Sequence, residues 1–366
     1  MSFYEQAVTY GGWDDSVFDQ VSASDVERAL SKEEINQRDY FALLSPAARP
    51  YLETMAKKAQ AKTLRHFGKA MQLFLPLYLS DYCVNICKYC SFSADQNFPR
   101  RRLTMDEVEK EAKVISDMGI KHIILLSGES YQHSSIAYLQ ESMRVLSKYF
   151  SSVGLEIQPL EESEYEELVA SGVDGLTVYQ EVYNYDIYKD IHVKGPKKNY
   201  KYRLDTPERG AKAGMRAVNV GALLGLDDWR KESFAAGMHA AYLQDRYLET
   251  DVSVSFPRIR PHAGSYEPKV DVGDADLVQA MLALRLFLPN AGITLSTRES
   301  PELRDKLLQL GVTKISASSS TEVGGYSEPD NTQSQFEISD ERSVAEMKRV
   351  LKSQGFQPIV KDWQMI

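Results

Sequence analysis

Three cysteines, Cys83, Cys87 and Cys90, lie in one short stretch and are the only cysteines of the chain. A C-x3-C-x2-C spacing lets three thiolates face one metal centre, and soft thiolates select zinc, copper(I) or iron–sulfur clusters. An odd, small number of cysteines in a single stretch cannot build a disulfide framework, so the thiols are read as reduced and metal-binding. Closed structural zinc sites and plain electron-transfer cubanes take a fourth protein ligand. One of the six histidines would complete a zinc site. With no fourth ligand, a four-iron cluster keeps one iron open to an exogenous group, and an open coordination position means reactivity.

The elements that must carry this loop follow from the hydrophobic pattern. From about residue 72, β-rich runs alternate with amphipathic helical runs: FLPLYLS (74–80), HIILLSG (122–128), LEIQPL (155–160), GLTVYQE (175–181), AVNVGALLG (217–225), VSVSFPRI (252–259), GITLSTRE (292–299) and KISASSS (314–320). These eight β-then-α units predict an α/β fold, a (β/α)8 TIM-type barrel, with the cysteines in the first βα loop. That is the face on which such barrels build active sites. Val108, Ala112, Ile115 and Met118 keep helical spacing, Thr104 and Glu107 form a capping box before them, and Gly119 ends the helix. Ser300 with Pro301 and Thr206 with Pro207 read as N-caps with first-turn prolines. Residues 1–71 carry helical signals at Ser24–Leu30 and Pro46–His66 and no β-run, so they read as an N-terminal helical extension packed on the barrel. Residues 72–320 then form the barrel core, and 321–366 the last βα loop, final helix and tail. The stretches 183–199 and 322–336 read as irregular loops on the active-site face.

Composition narrows the function classes. Hydrophobic residues at 43% and charged residues at 26% exclude disordered, collagenous and coiled-coil chains. With 43 basic against 52 acidic residues the formal charge is -9, which argues against a nucleic-acid surface. The N-terminal MSFYEQAVTYGGWDDS shows no secretion signal and no apolar run approaches a membrane span, so the expected compartment is the cytoplasm.

The segment CVNICKYC, with Tyr89 just before the third cysteine, resembles the signature of the radical S-adenosylmethionine (SAM) superfamily. The resemblance implies a [4Fe-4S] cluster on Cys83, Cys87 and Cys90, SAM chelated at the fourth iron, and a 5′-deoxyadenosyl radical that abstracts hydrogen from a substrate. It sets Tyr89 against the adenine, and Ser127, Gly128 and Glu129, at the end of the second strand, where backbone receives the SAM amino group. Longer stretches are similar to the tyrosine lyases of thiamine thiazole biosynthesis: DVERAL (25–30), ALLSPAA (42–48), PLYLSDYC (76–83), QPLEESEYEEL (158–168), VYQEVY (178–183), SVSFPRIRP (253–261), LSTRESP (295–301), GGY (324–326) and KDW (361–363). That family implies L-tyrosine as substrate, p-cresol and dehydroglycine as products, a reduced flavodoxin or ferredoxin as electron donor, and thiazole synthase with a sulfur-carrier protein as partners. Ser91 stands where the family pattern has glycine. A related hydrogenase maturase carries extra C-terminal cysteines for a second cluster, whereas this chain has none after Cys90.

SAM brings a carboxylate, an amino group, a ribose and a sulfonium, so its pocket needs a cation, acceptors and an aromatic face. Glu181, ending the fourth strand, suits the ribose hydroxyls or amino group, with Gln180 and Tyr179 beside it. Resemblance to related lyases sets Arg203 on the SAM carboxylate; a solvated arginine at a helix start is the alternative. Arg298 ends the seventh strand, where an inward arginine is costly to bury without an anion, and the related lyases hold the substrate carboxylate there. Ser316 and Ser318 share a face if strand alternation holds, as donors to that carboxylate or to the phenol, or as small residues filling the barrel. Arg258 and Arg260 also share a side, facing the pocket or forming a rim salt bridge, with His262 next to them. His122 and His133 read as packing or surface residues. The basic runs at 100–102 and 194–198 read as solvated faces or as attractors of an acidic electron donor. A tryptophan lyase of the same family and a non-catalytic zinc-binding barrel remain as alternatives.

Overall fold

Leucine-, isoleucine- and valine-rich runs buried on both faces are what a parallel sheet covered by helices requires. In the computed structural model, which describes residues 2–263, 266–329 and 332–361, they form eight parallel strands that pair in chain order. These are β1 (Ala70–Ser80), β2 (His122–Ser127), β3 (Ser152–Glu156), β4 (Gly175–Glu181), β5 (Ala217–Ala222), β6 (Asp251–Ser255), β7 (Gly292–Leu295) and β8 (Lys314–Ser316). Strand β8 returns to β1, with Gln72, Leu73 and Phe74 opposite Lys314, Ile315 and Ser316, which closes the barrel. A further short strand, Gln357–Ile359, pairs with the start of β1. Its central Pro358 cannot donate to a ladder and suits an edge, which is why so short a run escaped prediction. Of the KDW stretch, Asp362 and Trp363 lie outside the described residues, as do Gly264 and Ser265 after β6.

Four differences from the expected elements have local causes. The third strand starts at Ser152, not Leu155, because Asp174 fixes its start: the carboxylate accepts from Val153 N–H at 2.8 Å and from the Ser152 hydroxyl at 2.9 Å. Its chain leaves the wall after Glu156, three residues before Pro159. Strands β5 to β8 end earlier than 225, 259, 299 and 320, since the following residues rise into the active-site loops. Thr206 is not an N-cap: the helix Tyr200–Leu204 runs almost directly into Thr206–Lys212, and the Thr206 hydroxyl donates back to Tyr202 O at 2.9 Å. The stretch 183–199 is not irregular; it contains the helix Tyr185–Ile191 and a strand, His192–Lys194, that pairs antiparallel with Ile86–Cys87 of the cysteine loop. The capping box of Thr104 with Glu107 and the Ser300 cap are formed as expected.

Ahead of β1, helices at Tyr4–Gly11, Ala23–Ser31, Gln37–Leu44 and Leu52–Phe67 pack on the outside of the barrel. Tyr40 is fully buried and donates to Ser233 O at 2.7 Å; Gln279 donates to Leu43 O and Ser45 O at 3.0 and 2.8 Å. The C-terminal part is held by charge. Arg304, 0% exposed, pairs with the equally buried Asp340 and donates to Ser316 O, while Arg342 binds the same Asp340 oxygen at 2.7 Å. Removing one partner of such a pair leaves a buried uncompensated charge, so Asp340→Ala should lower the unfolding free energy by about 3–5 kcal/mol, measured by denaturant titration. Because Arg304 also grips the end of β8, the loss should loosen the wall that presents Ser316.

Candidate functional site

The cysteine loop leaves β1 at Ser80 and is clamped from two directions. Arg100, expected on a solvated face, instead turns inward and donates to the carbonyls of Asp81, Phe92, Ser93 and Gln96. Lys88 N–H donates to Ile191 O at 3.0 Å, and Cys87 N–H to the Ser93 hydroxyl at 3.0 Å. Ser91, the departure from glycine, is buried and accepts from Ala263 N–H at 2.9 Å, tying the loop to the segment after β6. Cys83, Cys87 and Cys90 line one cavity together with Ser127, Gly128 and Glu129. Burial pushes all three thiols up, Cys90 to about 11 with Cys83 adding to the effect, and Lys197 opposes it at Cys87. Gly128 has no alternative, because a Cβ there would lie 2.4 Å from Tyr82 O.

Two carboxylates and two cations complete this cavity. Arg203 is 6% exposed, not solvated: it donates to Tyr179 O at 2.8 Å and to Glu129 at 2.7 Å, and stands 3.5 Å from Glu181. Lys197, likewise expected to be solvated, is only 12% exposed and donates to Glu181 at 2.8 Å, with Glu129 at 3.9 Å. Burial pushes Glu181 up, but the two cations outweigh it and hold the carboxyl below its usual range. Glu181 has φ 70°, a left-handed conformation that costs a non-glycine residue about 1–3 kcal/mol and tends to persist at functional sites. Asn85 joins the group, donating to Glu129 at 2.7 Å and accepting from Lys197 N–H at 2.9 Å. The Tyr89 hydroxyl meets His192 Nε2 at 2.9 Å. Since His192 Nδ1 faces Tyr188 O at 2.8 Å, it carries the proton and Nε2 accepts from Tyr89. Burial, with Lys197 and Arg203 nearby, keeps this imidazole neutral.

A second cavity lies inside the barrel mouth, lined by Tyr78, Glu156, Tyr179, Arg298, Ser316 and Phe336 among others. Glu156 and Gln335 line both cavities, so the two adjoin at these residues. The Arg298 guanidinium lies 3.4 Å from the Phe336 ring centroid, and among the described residues no carboxylate is within ion-pair distance of it. Ser316 is 2% exposed with its hydroxyl unpartnered among the described residues.

The structure separates some residues that the sequence had grouped. Ser318 does not share the face of Ser316: β8 ends at Ser316, Ser318 turns to φ 53°, and Ser319 lines the cavity instead. Gln180 lines neither cavity; alternation turns it away from Glu181, and its buried amide is unpartnered among the described residues. Arg258 faces away from the barrel interior and pairs with Glu299 and Asp274, the rim salt bridge. Arg260 lines the same outer cleft and donates to Ser339. His133 stacks on Tyr82 at 3.8 Å. Glu156, Lys197, Asn85 and the Glu129 side chain were missed. The available signal was an acid closing a strand at the barrel's active face, as Glu156 does in SVGLE.

Comparison with known proteins agrees with this arrangement. The family model of the radical SAM superfamily matches residues 77–236, and that of the biotin and thiamin synthesis associated domain matches 255–357. A hydrogenase maturase, HydG from Carboxydothermus hydrogenoformans, superposes with a TM-score of 0.89 at 31% identity, covering 98% of this chain and 85% of that one. Barrel, three-cysteine loop and both matches define the chain as a radical SAM enzyme. The 2-iminoacetate synthase of Escherichia coli is 41% identical over 93% of this chain and 91% of its own length, and that of Salmonella typhimurium 39% over the same shares. The chain belongs to the 2-iminoacetate synthase family.

Proposed function

We propose that the chain cleaves the Cα–Cβ bond of L-tyrosine to 2-iminoacetate and p-cresol, with SAM giving 5′-deoxyadenosine and methionine, for the thiazole moiety of thiamine in the cytoplasm. The observation that carries it is the adjacency of two cavities that share Glu156 and Gln335, one lined by three cysteines, the other by a half-buried arginine with no carboxylate in ion-pair contact among the described residues. Cys83, Cys87 and Cys90 fit a [4Fe-4S] cluster. Three buried or half-buried thiols that burial keeps protonated need a metal to exist as thiolates. When bound, the reduced cluster supplies the electron that cleaves SAM to a 5′-deoxyadenosyl radical, which takes hydrogen from the amino group of the substrate.

The chain's own residues bind and orient. Arg203, which meets Glu129 and Glu181 in the ligand-free protein, would bind the SAM carboxylate, Glu181 would take the ribose hydroxyls or amino group, and Tyr89, held by His192, would face the adenine. Ser127, Gly128 and Glu129 offer backbone to the SAM amino group. Arg298 holds the tyrosine carboxylate, and Ser316 donates to it or to the phenol; Ser318 and Gln180 retain only indirect roles. A reduced flavodoxin or ferredoxin delivers the electron, and thiazole synthase with its sulfur-carrier protein consumes the product. Under anaerobic, reducing conditions with SAM, L-tyrosine should yield p-cresol and 2-iminoacetate. Indole products from L-tryptophan with no p-cresol from tyrosine would overturn the substrate in favour of a tryptophan lyase.

A further inference from the structure

The cavity that would hold the amino acid contains a second unpaired charge. Glu156 closes β3 at the junction of the two cavities. Among the described residues its carboxylate has neither a hydrogen bond nor an ion pair, unlike Glu299 in the same cavity, which Arg258 occupies at 3.1 Å. Gln335, the other residue at the junction, is already engaged, accepting from the Tyr78 hydroxyl at 2.7 Å. An uncompensated carboxylate and an uncompensated guanidinium facing one cavity are the complement of a zwitterion.

We infer that Glu156 receives the α-ammonium of the substrate and takes one proton from it, leaving the neutral amine at the junction with the SAM cavity. The step moves a proton only: a substrate N–H bond breaks, a carboxyl O–H forms, and no electron is transferred. It rests on the amino-acid reading of the Arg298 cavity and adds what that reading lacks, a group for the nitrogen. Geometry ties the two ends together. With its carboxylate on Arg298, the amino acid must turn its nitrogen toward the SAM cavity if hydrogen is to be drawn from it, and Glu156 is the carboxylate at that boundary. The charged and titratable groups facing Glu156 are Glu181 and Tyr179 of β4, Tyr78 of β1, Arg298 after β7, and Arg203 and Lys197 from the segment after β4. Burial, with Glu181 adding to it and the three cations opposing, pushes Glu156 up to about 7. A carboxylate with that affinity accepts a proton far more readily than an exposed one.

The test is equilibrium binding to the cluster-bearing enzyme with SAM, comparing L-tyrosine with 3-(4-hydroxyphenyl)propanoate, which lacks the amino group. In Glu156→Gln, tyrosine affinity should fall by about 10-fold or more, the worth of a hydrogen bond to a charged group, while the deamino analogue binds within about twofold of wild type. Glu156→Asp should regain part of the loss. The wild-type KM for tyrosine should rise as pH falls below about 7, where the carboxyl is protonated, and Glu156→Gln should flatten that rise. Unchanged tyrosine binding in Glu156→Gln, or equal loss of both ligands without recovery in Glu156→Asp, would overturn the inference. Wild-type enzyme that binds neither ligand would instead sink the amino-acid reading, and this inference with it.

Discussion

Replacing Arg298 with alanine should weaken L-tyrosine binding by about 30-fold or more while SAM binding stays within about threefold of wild type. The asymmetry follows from position. Arg298 lines the barrel cavity and not the cysteine cavity, and it makes no ion pair among the described residues. Among the described residues its direct contacts are the Phe336 ring and a long one to Arg258 O at 3.5 Å, and burial pulls its affinity for protons down, with Tyr78, Tyr179 and Glu156 opposing from a distance. A guanidinium stays charged under these conditions, so a carboxylate entering the cavity gains a partner that has already been desolvated. Arg298→Lys keeps the charge but loses the planar fork and should fall between wild type and alanine. Equilibrium dialysis with each ligand reads both numbers, and equal loss of tyrosine and SAM would remove the assignment.

The second large effect is expected at Cys87. Cys87→Ala should reduce cluster iron to near background after anaerobic reconstitution and abolish SAM cleavage, read by iron analysis and by 5′-deoxyadenosine formation. Cys87 is the most enclosed of the three, 6% exposed, and its backbone is fixed twice, by pairing with His192 and by the Ser93 hydroxyl. Neither restraint depends on the thiol, so the variant should fold with the same circular dichroism and tyrosine fluorescence as the wild type. Retention of a full cluster in Cys87→Ala would mean that another side chain ligates it.

How far these features could be read in the sequence depended on how local their causes are. The barrel was legible because each wall strand carries its own apolar run, and the cysteine loop because its three thiols are close in the chain. Strand β3 was misplaced because its start, Ser152 to Gly154, looks like a turn until Asp174 satisfies it. Lys197 and Arg100 looked like solvated charges because their partners, Glu181 and Glu129 for one and four loop carbonyls for the other, come from distant segments. Strand alternation paired Ser316 with Ser318 correctly only for an uninterrupted strand, and the left-handed turn at Ser318 ends it. Alternation also explains why Gln180 was wrongly set beside Glu181, when period-two geometry turns neighbours to opposite faces.

If three cysteines leave one iron for SAM beside a cavity for an amino acid, the cluster should respond to both ligands. Electron paramagnetic resonance of the reconstituted, reduced protein tests it most directly. A [4Fe-4S]+ signal should appear, change on adding SAM and change again on adding L-tyrosine. Zinc in place of a reducible cluster, or a cluster signal indifferent to SAM, would contradict it.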